Sequence, residues 1–211
     1  MAQLSLAALI SLARSEQLIS FPTDTVPALA ARPNSAEKIY IAKGRDKSKP
    51  LSLMGATARD LWPFVQNHLP AFETWKAIAA KYWPGAVTLV LPSSHWIPEQ
   101  MHPLTPKTIG VRVPNCEIAQ TILQQTGPLA TTSINKSGQD ALISLTEIEQ
   151  EFPNVLIPTE KFWPQNPQPS QPSTVVEWQE NNWIVHRQGS VQFKPEAVMK
   201  NENPCDRLVK L

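Results

Sequence analysis

Short apolar runs with two different spacings alternate along the chain. Apolar residues three or four positions apart are typical of a helix that buries one face, whereas brief β-branched and apolar runs are typical of strands. The two patterns follow each other from Leu4 to His186. The sequence therefore predicts an α/β protein, with helices packed on a twisted mixed β-sheet.

The predicted elements can be placed by residue number. Helices are expected at Leu4–Ser15, between Asn34 and Gly44, at Leu61–Val65, at Phe72–Tyr82, between Asn115 and Leu123, and at Leu145–Phe152. Strands are expected at Leu18–Phe21, Leu51–Met54, Val87–Leu91, Thr108–Val113, Leu129–Ser133, Val155–Ile157, Thr174–Trp178 and Trp183–His186, with a hairpin turn at Asn181-Asn182. Asn34 and Asn115 are of a type that caps helix N-termini, and Gly44 is of the type found just past a helix end.

Length and composition fit one globular domain. The 211 residues are 42% hydrophobic, and we expect a domain at residues 1–193 followed by a C-terminal tail at 194–211. No apolar run approaches the roughly 20 residues of a membrane span, and Leu4–Ala13 has the pattern of an amphipathic helix rather than a signal peptide. Two widely separated cysteines, Cys116 and Cys205, fit reduced thiols. These features predict a cytoplasmic protein with no membrane partner.

Proline is unusually frequent, with 21 prolines against seven glycines. The prolines are densest between Pro158 and Pro172. Because proline fixes φ and removes a backbone donor, this segment is predicted to be an extended loop. Two interpretations stay open for it, a spacer or a flap over a site.

The strongest charge pattern is local, since the net charge is only +1. From Lys38 to Lys49 there are five basic residues and one acid, Asp46. Arginine offers a planar fork and lysine a point charge, and both suit phosphate oxygens. A helix C-terminus also tolerates cations because of its dipole. The segment therefore indicates either a phosphate site at Lys43 and Arg45 or a solvated helix end.

Arg112 interrupts an otherwise apolar strand. It lies in Ile109-Gly110-Val111-Arg112-Val113, where alternation separates it from Val111 and Val113. Burying an unpaired guanidinium is costly, so this arginine needs a partner. An internal salt bridge and an anionic ligand are both open as that partner.

Three hydroxyl-rich turns occur at predicted strand ends, Pro22–Thr25, Thr131–Gly138 and Pro172–Thr174. Short polar side chains at such positions offer hydroxyl groups and backbone amides to a ligand, although ordinary turns have the same composition. The chain lacks the glycine patterns of a P-loop and of a Rossmann fold. Its histidines, His68, His95, His102 and His186, lack metal-ligand spacing, so we expect no tightly bound, protein-ligated metal.

Six segments carry a family resemblance, and they cover residues 21 to about 190. They are Phe21–Val26, Lys43–Arg45 with Lys49–Leu51, Trp83–Leu91, Gly110–Pro114, Thr132–Gly138 and Pro172–Val176. No single segment is decisive, but six in this order are highly specific. The chain resembles the YrdC-like family of threonylcarbamoyl-adenylate synthases, in the SUA/YciO/YrdC superfamily.

The resemblance implies a twisted α/β fold around a deep basic cavity, and it implies a reaction. Threonine and bicarbonate give N-carboxy-threonine, whose carboxylate attacks the α-phosphorus of ATP, supplied with Mg2+. Pyrophosphate leaves, and threonylcarbamoyl-AMP remains as the first intermediate toward the t6A modification of tRNA. The chain would accordingly be a nucleotidyltransferase.

The resemblance also implies roles for individual residues. Lys43 and Arg45 would be catalytic. The threonine and bicarbonate side would be formed by Thr23, Thr25, Arg112, Thr132 and Ser173. The nucleotide side would be formed by Lys43, Arg45, Lys49, Thr108, Ser133, Ile134, Asn135 and Arg187. Ser173 and Arg187 flank the predicted hairpin, so both can face one cavity.

The chain departs from the family pattern after its first motif. The family continues with an aromatic residue and Gly-Leu-Gly, whereas this chain has Pro27, Ala28 and Ala30 at the three differing positions. Each alanine adds a Cβ where the backbone approaches the ligand. Many members also place histidine where Met54 stands. These changes are typical of a diverged paralogue and leave open whether the synthase activity is retained.

Two other functions are compatible with the sequence. Family members are associated with binding of double-stranded RNA or tRNA, and a basic cavity can supply the phosphate contacts that shape-based RNA recognition uses. A regulatory or structural protein with an empty cleft is the second alternative.

Overall fold

The computed structural model describes residues 3–101, 107–164 and 171–195. Residues 165–170 of the proline-rich loop lie outside the described residues, as do His102, Cys205 and the predicted tail from residue 196 onward. Within the three described ranges, no helix is long and apolar enough to cross a membrane.

Helices and strands are interspersed along the described chain. The α-helices are α1 (Leu6–Arg14), α2 (Glu37–Lys43), α3 (Ala58–Leu61), α4 (Phe72–Tyr82), α5 (Glu117–Thr126) and α6 (Leu145–Glu151). Single 3-10 turns occur at Pro33–Ser35, Trp62–Phe64, Glu99–Met101 and Glu160–Phe162. The strands are β1 (Ile19–Phe21), β2 (Ala28–Ala31), β3 (Ser52–Met54), β4 (Val87–Pro92), β5 (Thr108–Arg112), β6 (Leu129–Ser133), β7 (Thr174–Gln179) and β8 (Asn182–Arg187).

These strands form one eight-stranded sheet in the order β1-β2-β6-β3-β5-β4-β7-β8. The pairs β3–β5 and β4–β7 are parallel, and the other neighbours are antiparallel. The predicted mixed sheet with flanking helices is therefore confirmed.

Two clusters of buried apolar side chains hold the helices on the sheet. The first core packs α2 and α4, through Ile39 and Trp75, against strand residues such as Val111. The second core packs α1 and α5, through Leu9 and Ile122. Along β2 the alternate residues belong to different cores, which places the two cores on opposite faces of the sheet.

Strand β2 was not predicted. Its sequence, Ala-Leu-Ala-Ala, lacks the β-branched and aromatic residues that mark strands. All four residues are nevertheless buried, because β2 lies between β1 and β6. Central position in the sheet, which the local pattern does not report, overrides the weak strand propensity of alanine.

Other differences are local. Ala36 and Cys116 occupy the N-cap positions predicted for Asn34 and Asn115. The predicted strand Val155–Ile157 forms only an isolated bridge, between Leu156 and Ile19. The hairpin turn lies one residue earlier than expected, with positive φ of 49° and 62° at Glu180 and Asn181. Two successive residues with positive φ fit the twist of a tight hairpin.

Candidate functional site

A cavity of about 510 Å3 opens on the sheet face opposite the first core. Strand β5 shows how the sequence builds it, because Thr108, Gly110 and Arg112 line the cavity while Ile109 and Val111 are buried in the first core. Thr108 and Arg112 are about 13 Å apart along the strand. The alternation predicted for β5 is therefore confirmed, and it gives the cavity two ends.

Gly110 forms the floor between those ends. In register it faces Ser52 of β3 and Val90 of β4. A Cβ at this position would lie 2.9 Å from Ser52 Oγ and 3.3 Å from a methyl carbon of Thr88. Glycine therefore keeps the floor clear where three strands meet.

Arg112 forms an internal ion pair at one end of the cavity. The residue is 3% exposed, and its Nη2 donates to Asp24 Oδ1 at 2.6 Å. Nη1 donates to Thr25 Oγ1 at 2.9 Å and Nε to the carbonyl oxygen of Gly85 at 3.0 Å. Burial lowers the pKa of Arg112, and the Asp24 carboxylate opposes that shift. Of the two partners left open for Arg112, the structure shows the internal salt bridge.

Ser173 and Thr88 lie at the same end. Their hydroxyl oxygens are 2.9 Å apart, and both residues line the cavity. Arg187 donates to the carbonyl oxygen of Ser173 from Nε at 3.1 Å and from Nη2 at 2.9 Å. The β7–β8 hairpin therefore brings Ser173 and Arg187 to one cavity, as expected.

The basic segment after α2 lies on another part of the lining. Arg45 and Lys49 both line the cavity. Arg45 donates to the carbonyl oxygens of Lys49 at 3.2 Å and Pro50 at 3.1 Å, which closes the turn on itself. Burial lowers the pKa of Arg45. Lys47 points elsewhere, because it pairs with Glu37 at 3.5 Å and both side chains are exposed.

Lys43 does not belong to the lining. It is 2% exposed, and its ammonium donates to the carbonyl oxygens of Ser133 at 2.5 Å and Asn135 at 2.7 Å, and to Asn135 Oδ1 at 3.0 Å. Burial lowers the pKa of Lys43 to about 7, with further lowering from Arg45 and Lys136. The structure thus places this lysine beneath the turn that follows β6, where it binds protein oxygens.

The site residues expected from the sequence fall into two groups, those on the cavity lining and those outside it. Those that line the cavity are Thr25, Arg45, Lys49, Thr108, Arg112, Thr132, Ser133, Ser173 and Arg187. Those outside the lining are Thr23, Lys43, Ile134 and Asn135. Thr23 closes its own turn by donating to the carbonyl oxygen of Val26 at 2.8 Å. Ile134 is fully buried in the first core.

The structure adds residues that sequence reasoning missed. Thr88 is the polar residue within the apolar run Val87–Leu91, and that contrast could have identified it. Asp24 lies in the Pro22–Thr25 turn, and the need of a buried Arg112 for a nearby acid could have identified it.

Only one of the two substituted alanines reaches the cavity. Ala28 lines it and is 2% exposed, whereas Ala30 is fully buried in the second core. The expectation that both alanines add a Cβ beside a ligand is therefore wrong for Ala30. Met54 lines the cavity beside Arg112, its partner in the β3–β5 register.

Burial of Lys43 also bears on the RNA alternative. A duplex RNA backbone is bound through side chains on an accessible surface. Lys43 is covered, and Arg45 has two of its nitrogens on protein carbonyls. The interpretation as an RNA-binding surface therefore loses Lys43 as a residue that could contact phosphate.

Comparison with known proteins finds relatives in sequence and in structure. A threonylcarbamoyl-AMP synthase of Bos taurus is 29% identical over 155 residues, which are 72% of this chain and 54% of that protein. The chain therefore spans about half the length of this curated relative. The structure of P. abyssi Sua5 complexed with L-threonine aligns with a TM-score of 0.77 and 27% identity, over 90% of this chain and 56% of that one.

A shorter solved structure matches over nearly its whole length. E. coli YciO aligns with a TM-score of 0.74 and 26% identity, over 90% of this chain and 91% of that one. The model of the Sua5/YciO/YrdC family, described as telomere recombination, matches residues 11–189. With that match and the shared fold, the chain belongs to the Sua5/YciO/YrdC family.

Proposed function

We propose that this protein is a threonylcarbamoyl-AMP synthase. Threonine, bicarbonate and ATP are converted to threonylcarbamoyl-AMP, pyrophosphate and water. The names of similar proteins support this, as does the likeness to a Sua5 structure that holds L-threonine. The observation that carries the proposal is one cavity with an anchored guanidinium, Arg112, at one end and two cationic side chains, Arg45 and Lys49, elsewhere on its lining.

The Arg112 end is assigned to threonine. An arginine has five N–H donors, and the protein acceptors described above occupy three nitrogens with one bond each. Two N–H donors remain for the threonine carboxylate among the contacts of the described residues. The hydroxyls of Thr25 and Ser173 lie at this end. Thr132 lies on the lining toward Thr108. All three are assigned to orient the amino acid by hydrogen bonds.

The nucleotide is assigned to Arg45, Lys49, Thr108 and Ser133. Arg187 is assigned to it as well, although it lies beside Ser173 at the other end of the cavity. Attack of a carbamate on the α-phosphorus needs in-line positioning and neutralisation of phosphate charge. Guanidinium and ammonium groups that are already fixed by protein carbonyls need little reorganisation when that charge develops. Arg45 meets this condition through its bonds to Lys49 and Pro50.

Lys43 acts in this proposal by positioning. Its ammonium fixes the backbone of Ser133 and Asn135 at the exit of β6. Ser133 lines the cavity, so the buried lysine sets the position of a residue on the nucleotide side. Direct phosphate contact is left to Arg45 and Lys49.

Magnesium enters with the substrate. Within the described residues, no group of three or more His, Cys, Asp or Glu side chains could hold a metal ion. The lining carries guanidinium groups and an ammonium, which repel a cation. Mg2+ commonly binds substrate phosphates and water, so we assign it to ATP.

Pyrophosphate release tests the proposal. The purified protein is incubated with ATP, Mg2+ and bicarbonate, with and without threonine. We expect release that depends on threonine. Release that is the same without threonine, or ATP left intact by folded protein, would count against a synthase.

A further inference from the structure

The chain that leaves β8 folds back against the start of β7. We call residues 188–191 the return segment. Ser190 N donates to the carbonyl oxygen of Pro172 at 3.1 Å, and Gly189 N donates to Thr174 Oγ1 at 2.9 Å. Two successive amides of the return segment thus bind the residues on either side of Ser173.

Thr174 is the centre of this contact. It is fully buried, and its hydroxyl donates to the carbonyl oxygen of Val191 at 2.5 Å while it accepts from Gly189. Its backbone N–H donates to the carbonyl oxygen of Ala86, just before β4, at 3.0 Å. One residue therefore connects the return segment with the strand that carries Thr88.

Gly189 allows the close approach. A Cβ at this position would lie 2.1 Å from the carbonyl oxygen of Pro172 and 2.5 Å from backbone atoms of Ser173 and Thr174. All three contacts are with backbone, which cannot move aside without displacing Ser173. Any larger residue at 189 would therefore push the two segments apart.

Ser173 lies between these contacts and the cavity. Its hydroxyl is 2.9 Å from that of Thr88, and its carbonyl oxygen accepts from Arg187. The backbone of Pro172–Thr174 is thus fixed from behind by the return segment, and the side chain of Ser173 is fixed from within the cavity. Such two-sided support holds a ligand-contacting hydroxyl in one position.

We propose that Thr174 and Gly189 are positioning residues for Ser173, and that the return segment thereby sets the affinity of the cavity for its amino-acid substrate. This inference rests on the proposed function. Ser173 contacts threonine before and during the reaction, so displacing it weakens binding in both states. A change of that kind raises KM and leaves kcat unchanged.

The test compares Thr174→Val with Thr174→Ser. Valine keeps the branched shape but removes the hydroxyl, whereas serine keeps the hydroxyl. Thr126→Val is the matched control. Thr126 is also buried, and its hydroxyl donates to the carbonyl oxygen of Gly127. It lies at the end of α5 and is not part of the cavity lining. Threonine KM and kcat are measured for all three, with amide hydrogen exchange at Ser190 as a readout that needs no catalysis.

We expect Thr174→Val to raise the threonine KM by roughly tenfold and to speed exchange of the Ser190 amide, which does not bond to Thr174 itself. Thr174→Ser and Thr126→Val should match wild type in both readouts. An unchanged threonine KM or an unchanged Ser190 amide in folded Thr174→Val overturns the inference, even if the variant is less stable.

Failure of the proposed function gives a different result. Wild-type protein would then release no threonine-dependent pyrophosphate, whatever the behaviour of the variants. Exchange at Ser190 still decides the positioning role in that case. Faster exchange in Thr174→Val but not in Thr174→Ser or Thr126→Val supports it, and equal exchange in all three overturns it. Gly189→Ala serves as the second variant and should also speed Ser190 exchange.

Discussion

The ammonium of Lys43 donates to both the backbone oxygen and the side-chain oxygen of Asn135, at 2.7 and 3.0 Å. The end of α2 is thereby bound to the turn after β6, 92 residues away in sequence. An ammonium has three donors, and the third binds Ser133. The three oxygens favour the charged form of the lysine, whereas burial disfavours it.

Lys43 therefore makes stability depend on pH. The pKa of its ammonium is lowered to about 7 in the folded protein from 10.5. Between these values the unfolded chain binds a proton that the folded chain lacks, so stability rises with pH. Methionine does not titrate, so Lys43→Met lacks this pH dependence. We expect the unfolding free energy of wild type, measured relative to that of Lys43→Met, to rise by about 2 kcal/mol from pH 7 to pH 9. Denaturant titrations at the two pH values measure it, and parallel shifts of both proteins would contradict the assignment.

Neighbouring lysines should differ in their effect on ATP. Lys49 lines the cavity, whereas Lys47 pairs with Glu37 on the surface. Removing a charge-assisted bond to phosphate costs roughly 1.5–3 kcal/mol, so Lys49→Ala should raise the ATP KM about tenfold or more. Lys47→Ala, the control, should leave it unchanged. Steady-state kinetics give the ATP KM of both variants. Equal increases would contradict the assignment, because the total charge of the turn would then matter rather than the position of Lys49 on the cavity lining.

The two alanines of β2 offer a second matched pair. Both alanines belong to the second core, but only Ala28 also lines the cavity, so Ala28→Gly removes a methyl group from the lining and Ala30→Gly does not. Each should lose about 1 kcal/mol of unfolding free energy, because glycine weakens a strand. Only Ala28→Gly should change substrate KM, lowering it severalfold if the methyl group restricts the approach of a ligand. A KM change in Ala30→Gly alone would contradict the position given to Ala28.

The ion pair between Asp24 and Arg112 should contribute far more to stability than the surface pair of Lys47 and Glu37. The Arg112 side chain is 4% exposed, so removing its partner leaves an uncompensated buried charge. We expect Asp24→Ala to lower the unfolding free energy by about 3 kcal/mol. Glu37→Ala should change it by less than about 1 kcal/mol. Thermal and denaturant unfolding of both variants check the contrast, which similar losses would refute.

Much of the cavity could be predicted because strand alternation is a local property. The pattern of β5 assigned Arg112 to the face opposite Val111, and the hairpin brought Arg187 back to Ser173. The charge pattern likewise marked Arg45 and Lys49.

What could not be predicted depends on contacts between distant segments. The direction of the long Lys43 side chain is set by carbonyl oxygens 90 and 92 residues away, and no local pattern reports them. The pairing of Asp24 with Arg112 requires a loop to cross to a strand 88 residues later. Strand β2 forms from alanines because its neighbours bury it, and the contrast between Ala28 and Ala30 follows only from that pairing.

Isotope labelling of the product tests the central claim most directly. The protein is supplied with ATP, Mg2+, 13C-bicarbonate and 15N-threonine, and nucleotides are identified by mass spectrometry. The account predicts an AMP adduct that carries both labels, together with pyrophosphate. Folded protein that forms no doubly labelled adduct under these conditions would contradict it.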